Sequence, residues 1–298
     1  MPELVNLGSL CIDHVYQVPA IVRAGETLLG EVPVRHAGGK GLNQSLAAAR
    51  AGARVAHVGC VGADGSWLKE LLAVAGVDVD GVRTCATQPT GHAMIQVGPH
   101  GENAIVIVGG ANRGIQPADV DRAIARASVD GWLLLQNEIN DIEDVLLAAR
   151  RARVRVAFNV APIDARAAGY SLDAVELLLL NEIEATALAR EPDAAAALER
   201  LTRDHKAQHV VITLGADGVV YGCGMQRLRL PAFVVAAVDE TGAGDAFIGH
   251  LMAAWLDGLP VPERLRRASA AGALAVCSHG AAPAIPDATA VQAFLRSH

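Results

Sequence analysis

Residues 132–159 read WLLLQNEINDIEDVLLAARRARVRVAFN, and this run sets the fold class. Two short apolar stretches, Trp132–Gln136 and Arg155–Asn159, flank an Ala/Leu-rich helical stretch, Ile142–Arg151, which is the strand, helix, strand order of a parallel unit. The same alternation continues outward. Further strand candidates are Leu4–Leu7, Val55–Cys60, Ala174–Leu180, His209–Leu214 and Gly218–Gly222. Further helix candidates are Asn43–Ala51, Trp67–Ala75, Pro117–Ala127, Ala194–His205, Ala246–Leu256, Glu263–Cys277 and Ala288–Arg296. Such a pattern predicts an α/β, doubly wound protein with a mostly parallel sheet covered by helices. Two stretches break the rhythm: Asp13–His36, and Val77–Val108 with Gly91, Gly98 and Gly101 between short apolar runs. Both read as extra β-strands. With no internal repeat, low-complexity tract or linker, 1–298 reads as one domain with a lid contributed by about 13–36 and 77–108.

Composition narrows the partners. Of 298 residues, 52% are apolar and 19% charged, which is a globular balance. Five cysteines, Cys11, Cys60, Cys85, Cys223 and Cys277, form no C-x-x-C pair, so neither a disulfide framework nor a zinc site is indicated and a reducing cytoplasm is the expected location. The N-terminus has no basic flank ahead of its apolar stretch, and Ala268–Pro286, free of charged side chains, is interrupted by glycine and proline, so neither secretion nor a membrane span is expected. A formal net charge of -7, without a Lys/Arg cluster, argues against a nucleic-acid surface. Small molecules are the expected ligands.

Neither G-x-x-x-x-G-K-[ST] nor a G-x-G-x-x-G after the first strand occurs, which removes the common mononucleotide and dinucleotide fingerprints and, with the second, a dehydrogenase. Two other glycine-rich junctions remain. Ala37-Gly38-Gly39-Lys40-Gly41-Leu42-Asn43-Gln44 precedes a helical run; its glycines allow close approach, Lys40 supplies a cation and Asn43 offers donors and acceptors to hydroxyl groups. Taken alone it reads equally well as a tight strand-to-helix turn. Asp239-Glu240-Thr241-Gly242-Ala243-Gly244-Asp245-Ala246-Phe247 joins an apolar β-run, Phe233–Val238, to a helix. Small residues at a helix start expose backbone N–H groups to an anion, and Asp245 beside them is either a helix cap or a base for an attacking hydroxyl.

Together these two junctions resemble the two signatures of the ribokinase-like (PfkB) carbohydrate kinases. Gly8-Ser9, Asp13-His14, Gly25-Glu26-Thr27, Thr90-Gly91, Gly101-Glu102-Asn103, Gly110-Ala111-Asn112, Asn181-Glu182-x-Glu184 and Ile212-Thr213-Leu214-Gly215 fall in family order and are most similar to its ribokinase branch. The resemblance spans about Leu7 to Pro286. It implies a three-layer α/β sandwich with a small β-sheet lid, ATP and Mg²⁺, and transfer of the γ-phosphate to a primary hydroxyl, with D-ribose to ribose 5-phosphate as the first expectation. It implies Asp245 as base, with Gly242, Ala243 and Gly244 as anion hole; Cys11, Asp13, Gly39, Lys40, Asn43 and Glu138 at the sugar; and Asn181, Thr213, Gly215, Asp217, Gly218, Gly244 and Ser269 along ATP. Glu184 would order the water around Mg²⁺, though alone it reads as a solvated helix carboxylate. A monovalent cation, K⁺ in the family, would sit on groups at Asp239, Thr241, Ala275, Ser278, Gly280 and Ala284. The lid would also form a homodimer interface. Three positions depart from the pattern: Cys11 replaces an asparagine at the sugar, Glu240 a threonine, and Ala284 a frequent serine. Cys11 keeps a nucleoside, another pentose, a ketose or a sugar acid open as acceptor, and a non-catalytic sugar-binding protein remains the rival from another class.

Overall fold

A strand buried on both faces needs apolar residues at odd and even positions alike, and the central strands have them. In chain order the elements are β1 (Leu4–Leu7), β2 (Cys11–Gln17), β3 (Val34–Gly38), α1 (Lys40–Arg50), β4 (Val55–Gly62), α2 (Ser66–Val74), β5 (Asp78–Cys85), β6 (Gly91–Val97), β7 (Asn103–Val108), α3 (Pro117–Ala127), β8 (Trp132–Gln136), α4 (Ile142–Ala152), β9 (Arg155–Asn159), β10 (Val175–Asn181), α5 (Glu182–Ala189), α6 (Ala194–Asp204), β11 (His209–Thr213), β12 (Val219–Cys223), β13 (Gln226–Leu230), α7 (Ala243–Leu256), α8 (Val261–Ala275), α9 (Ala281–Ala284) and α10 (Ala288–Ser297). The computed structural model describes residues 3–100, 102–127, 131–204 and 208–298, so the sequence readings at Met1, Gly101 and His205 lie outside the described residues.

Nine strands form one sheet in the order β13-β12-β11-β10-β9-β8-β1-β4-β5. It is parallel from β5 to β11, with β12 and β13 antiparallel at one edge. Val5, Leu133 and Leu135 face a core built with Val145, Leu146 and Leu198 of α4 and α6. Leu4, Trp132 and Leu134 face the opposite core, with Leu42, Leu46, Phe247 and Leu251 of α1 and α7. The chain winds from β1 outward to β4 and β5, then returns beside β1 as β8 and winds the other way. That reversal opens a crevice at the carboxyl ends of β1 and β8, where doubly wound sheets bind ligands.

A second sheet, β3-β2-β6-β7, rises from this crevice. It is entered from β1 through Gly8-Ser9-Leu10 and left through Gly38 into α1. Of Val77–Val108, Asp78–Cys85 pairs in parallel with β4 at the edge of the large sheet, and only β6 and β7 join the small one. Three further sequence readings change. Phe233–Val238 forms no strand; it runs as a loop along a cleft, with the Val238 N–H on Val276 O at 2.7 Å. The helices α1 and α7 start earlier than expected because left-handed glycines begin them, Gly39 at φ 91° and Gly242 at φ 79°, and glycine reaches that region without steric cost. Finally, α5 and β13 join the elements read from sequence. Among the described residues no helix is long and apolar enough to cross a membrane.

Candidate active site

The two glycine-started helices cross at Gly249, where an added Cβ would lie 2.3 Å from Ala47 Cβ and 2.6 Å from the Ala48 nitrogen. This close approach brings the first turns of α1 and α7 together. Asp245, in the first turn of α7 and only 7% exposed, accepts from Asn43 Nδ2 at 3.0 Å on one carboxylate oxygen and from Gln44 Nε2 at 2.9 Å on the other. The residue at the cap position is Gly242, and the Asp245 side chain makes no cap hydrogen bond. Its carboxylate is instead held by Asn43 and Gln44 of α1. Lys40, at the start of α1, feels the negative charge of Asp245 first, and then of Glu138 and Glu184, which together outweigh burial and raise its pKa.

On the crevice side, Glu138 follows β8. Its Oε2 accepts from Ser9 Oγ at 2.5 Å and from the Lys40 N–H at 2.9 Å, and Ser9 Oγ accepts from the Gly41 N–H at 3.1 Å. Burial raises the Glu138 pKa against the opposing pull of Lys40. Asp13 of β2 lies over Gly38, where a Cβ would sit 2.0 Å from its Oδ2. Burial and then the Glu138 charge raise Asp13 to about 6. Cys11 is buried, and its thiol pKa is pushed far up by burial and then by Glu138 and Asp13. Its sulfur accepts from Asn112 Nδ2 at 3.3 Å, while Asn112 also pairs with both backbone groups of Leu10. Cys11, Asp13, Lys40, Asn43, Glu138 and Asp245 are thus assembled at one place from β2, α1, α7 and the end of β8.

Two cavities meet at Gly244. One, about 240 Å³, is lined by Lys40, Asn181, Glu184, Thr213, Gly242 and Asp245. The other, about 420 Å³ and mostly apolar, is lined by Gly215, Gly218, Phe233, Val235, Ser269 and Gly272. Thr213 and Gly244 belong to both, and nothing lies within 4 Å of where a Gly244 Cβ would be. An apolar cleft opening onto a polar, glycine-floored cavity suits a nucleotide, with its base in the first and its phosphates in the second. Asp217 stands exposed in the Gly215–Asp217 turn and lines neither cavity. The Ala243 N–H donates to Glu240 O at 3.2 Å, while Gly242 at the cap and Gly244 in the first turn of α7 form the floor.

Asn181 and Glu184 are joined by a reciprocal capping box at the start of α5: Asn181 Oδ1 accepts from the Glu184 N–H at 2.8 Å and Glu184 Oε2 from the Asn181 N–H at 2.9 Å. The Asn-x-x-Glu motif therefore has a local folding role, while burial raises the Glu184 pKa at the cavity wall. No group of three or more His, Cys, Asp or Glu among the described residues is placed to hold a metal. Asp239 ties two loops together, accepting from the Thr241 N–H at 2.9 Å and the Gly280 N–H at 2.8 Å. Burial opposes its charge, yet these donors leave its pKa lowered. Ala275, Ser278 and Ala284 flank this clasp, with the Ser278 N–H on Ala275 O at 3.2 Å.

The sequence motifs quoted Ser9, Gln44 and Asn112 without assigning them a role. Their functions depend on partners far along the chain: Glu138 for Ser9, Asp245 for Gln44, Leu10 and Cys11 for Asn112. Asn6, Gln136 and Asn159 do stand out as polar residues among the apolar buried positions of their strands, but the sequence does not show what they pair with.

Residues 1–288 match the pfkB family of carbohydrate kinases. The chain is 35% identical over 300 residues to the ribokinase of Haemophilus influenzae, with 98% of each covered. It is similar in structure to Arabidopsis thaliana ribokinase complexed with ribose and ATP, with TM-score 0.87, 31% identity and 99% of both chains covered. It is also similar to the ribokinase of Thermotoga maritima, with TM-score 0.88, 31% identity and coverage of 99% of this chain and 100% of that one.

Proposed function

We infer that this chain, which belongs to the pfkB family of carbohydrate kinases, transfers the γ-phosphate of ATP to the primary hydroxyl of D-ribose, making ribose 5-phosphate. The observation that carries this reading is the buried Asp245 carboxylate, held by Asn43 and Gln44 where the sugar-side residues meet the cavity floored by Gly242 and Gly244. Asp13 and Glu138 accept sugar hydroxyl hydrogens and orient the sugar. Asp245 takes the proton of the attacking hydroxyl as its oxygen approaches the γ-phosphorus in line with the leaving group. Lys40 and the N–H groups of Gly242 and Gly244 take up the charge on the transferring group. Thr213, Gly215, Gly218 and Ser269 hold the nucleotide, with Asn181 beside its phosphates. Glu184, at the wall of the polar cavity, would order the water around Mg²⁺ bound with ATP, which would supply charge neutralisation at the phosphates.

Four finer points belong to the same reading. The clasp made by Asp239 between residues 239–241 and 275–284 suits a monovalent cation such as K⁺, held by backbone oxygens beside the anion hole; Ala284 supplies no hydroxyl there. The chain works as one domain, with β2, β3, β6 and β7 as a lid. The exposed apolar residues Ile105, Val106 and Ile107 on β7 suit pairing of two lids in a homodimer. The free thiols and the use of ATP fit the cytoplasm.

One observation favours a second acceptor. The Cys11 sulfur is engaged by Asn112 and offers a sugar little hydrogen bonding, which suits a pentose or ketose lacking the matching hydroxyl. ADP release from ATP and Mg²⁺ with ribose, other pentoses, ketoses, sugar acids and nucleosides, in K⁺ and in Na⁺, separates the two. Selective turnover of ribose supports the first reading, preference for another sugar supports the second, and no turnover with any acceptor contradicts both.

A further inference from the structure

Asn6 of β1, Gln136 of β8 and Asn159 of β9 are all buried to within 5% exposure, and with Gln44 they form one chain of amides that ends on Asp245. Asn159 Nδ2 donates to Leu179 O at 3.1 Å, which turns its Oδ1 toward Gln44. Gln44 Nε2 donates to that oxygen at 3.1 Å and to Asp245 Oδ1 at 2.9 Å, using both of its hydrogens. Gln44 Oε1 must then accept, and Gln136 Nε2 donates to it at 2.8 Å while also donating to Asn6 Oδ1 at 3.1 Å. Asn6 Nδ2 is committed to Gly41 O and Ser45 Oγ, both at 2.8 Å. Two backbone carbonyls, Leu179 and Gly41, thus dictate the sense of every amide between them, and no link can reverse without setting acceptor against acceptor. Gln136 Oε1 is left buried without a partner, a cost that an apolar side chain of the same shape would avoid.

We propose that Gln44 is a positioning residue for Asp245, with its amide aimed by Gln136. The inference rests on the reading of Asp245 as the base. A carboxylate turns freely about its last bond unless both oxygens are engaged; Gln44 on Oδ1 and Asn43 on Oδ2 fix its plane, so the remaining lone pairs face the acceptor hydroxyl. Because Gln44 is fully buried behind Asp245, it acts through that carboxylate and not on the sugar or nucleotide.

Gln44→Met keeps the length of the side chain but cannot donate, and Gln44→Glu keeps its shape and donates only when protonated. Both are compared with wild type for kcat, KM for ATP, ADP affinity and thermal unfolding. In Gln44→Met, kcat is expected to fall about 10- to 100-fold, with KM for ATP and ADP affinity within about twofold. In Gln44→Glu the introduced carboxyl faces Asp245, Asn159 and Gln136, while Glu138, Glu184 and Lys40 act on it through the same charged cluster as Asp245; ionised it repels Asp245, and protonated its single hydrogen restores the donor to Asp245 but not the one to Asn159. The ratio of its kcat to wild type therefore rises as pH is lowered from about 8 to about 5.5, which a role in folding alone would not produce. A kcat for Gln44→Met within about twofold of wild type overturns the proposal, as does a pH-independent ratio for Gln44→Glu, and the second result decides alone if Gln44→Met does not fold. Asp245→Asn is assayed beside them: normal turnover there removes the base itself, whereas an inactive Asp245→Asn beside an unimpaired Gln44→Met removes only the positioning role.

Discussion

At the scale of single residues, the buried Asp13 carboxyl costs the fold stability, which its proposed role at the sugar accounts for. Its pKa is raised from 3.8 to about 6 by burial and then by Glu138, so between those values the folded protein holds a proton that the unfolded chain has released. The stability contributed by that proton is present below about pH 4 and is lost as pH rises through about 6. Removing the charge should therefore help the fold most at neutral pH: Asp13→Asn is expected to gain on the order of 1–3 kcal/mol at pH 7 and less at pH 5, as thermal unfolding at the two pH values would show. The same variant loses a hydroxyl acceptor, so its KM for sugar rises; in the wild type, KM for sugar rises as pH falls below about 6 and Asp13 becomes protonated. A variant no more stable at pH 7 than wild type, or a KM indifferent to pH across this range, would contradict this account. The sequence singled out Lys40, Asn43 and Asp245 at two glycine-rich junctions, and the fold brings those junctions together. The roles of Gln44 and Gln136 were not legible there, because they depend on which strand lies beside which.

At the scale of elements, the crossing of α1 and α7 decides whether the site exists. Gly249 leaves no room for a Cβ against Ala47 and Ala48, so Gly249→Val must push the helices apart and draw Asn43 and Gln44 away from Asp245. Overpacking of this kind costs about 1–3 kcal/mol, and kcat should fall further than KM for ATP changes, because α7 gives the apolar cleft only Ala243, Gly244 and Phe247 and the rest of its lining comes from outside α1 and α7; unfolding and steady-state kinetics together test this. A second tie runs from the last turn of α1, where Arg50 Nη1 donates to Ala282 O at 2.9 Å and Ile285 O at 2.7 Å. Ala282 lies in α9 and Ile285 caps it, and Ala281 at the start of that helix packs on Gly242. Arg50→Met should therefore weaken the anion hole and any monovalent-cation dependence together, a coupling read by comparing kcat in K⁺ and Na⁺. The existence of these helices was evident from their Ala/Leu-rich runs. Their first turns were not, since a left-handed glycine, not the first apolar residue, sets where each begins. Phe233–Val238 misled for a related reason: an apolar run facing a cleft has the composition of a strand without a neighbour to pair with.

For the whole molecule, the reversal of winding at β1 and β8 places Asp13, Glu138 and Asp245, the polar cavity and the small sheet at one crevice. The alternation of strands and helices forecast a mostly parallel sheet, but neither the crevice at its reversal of winding nor that β5 would extend the large sheet. A run of β-type residues does not say which edge it joins. The small sheet exposes Val106 at 55% and Ile107 at 66%. If two lids pair there, sedimentation should show a dimer, and Ile107→Lys should give a monomer with a raised KM for sugar; an unchanged wild-type monomer would remove this interface. The central claim is that Asp245 removes the proton of a ribose hydroxyl as phosphate is transferred to it. The most direct test is the rate of ribose 5-phosphate formation by Asp245→Asn beside wild type, with ADP affinity measured on both. The account predicts a fall in kcat of about 10²- to 10⁴-fold with nucleotide binding retained; turnover near the wild-type rate would contradict it.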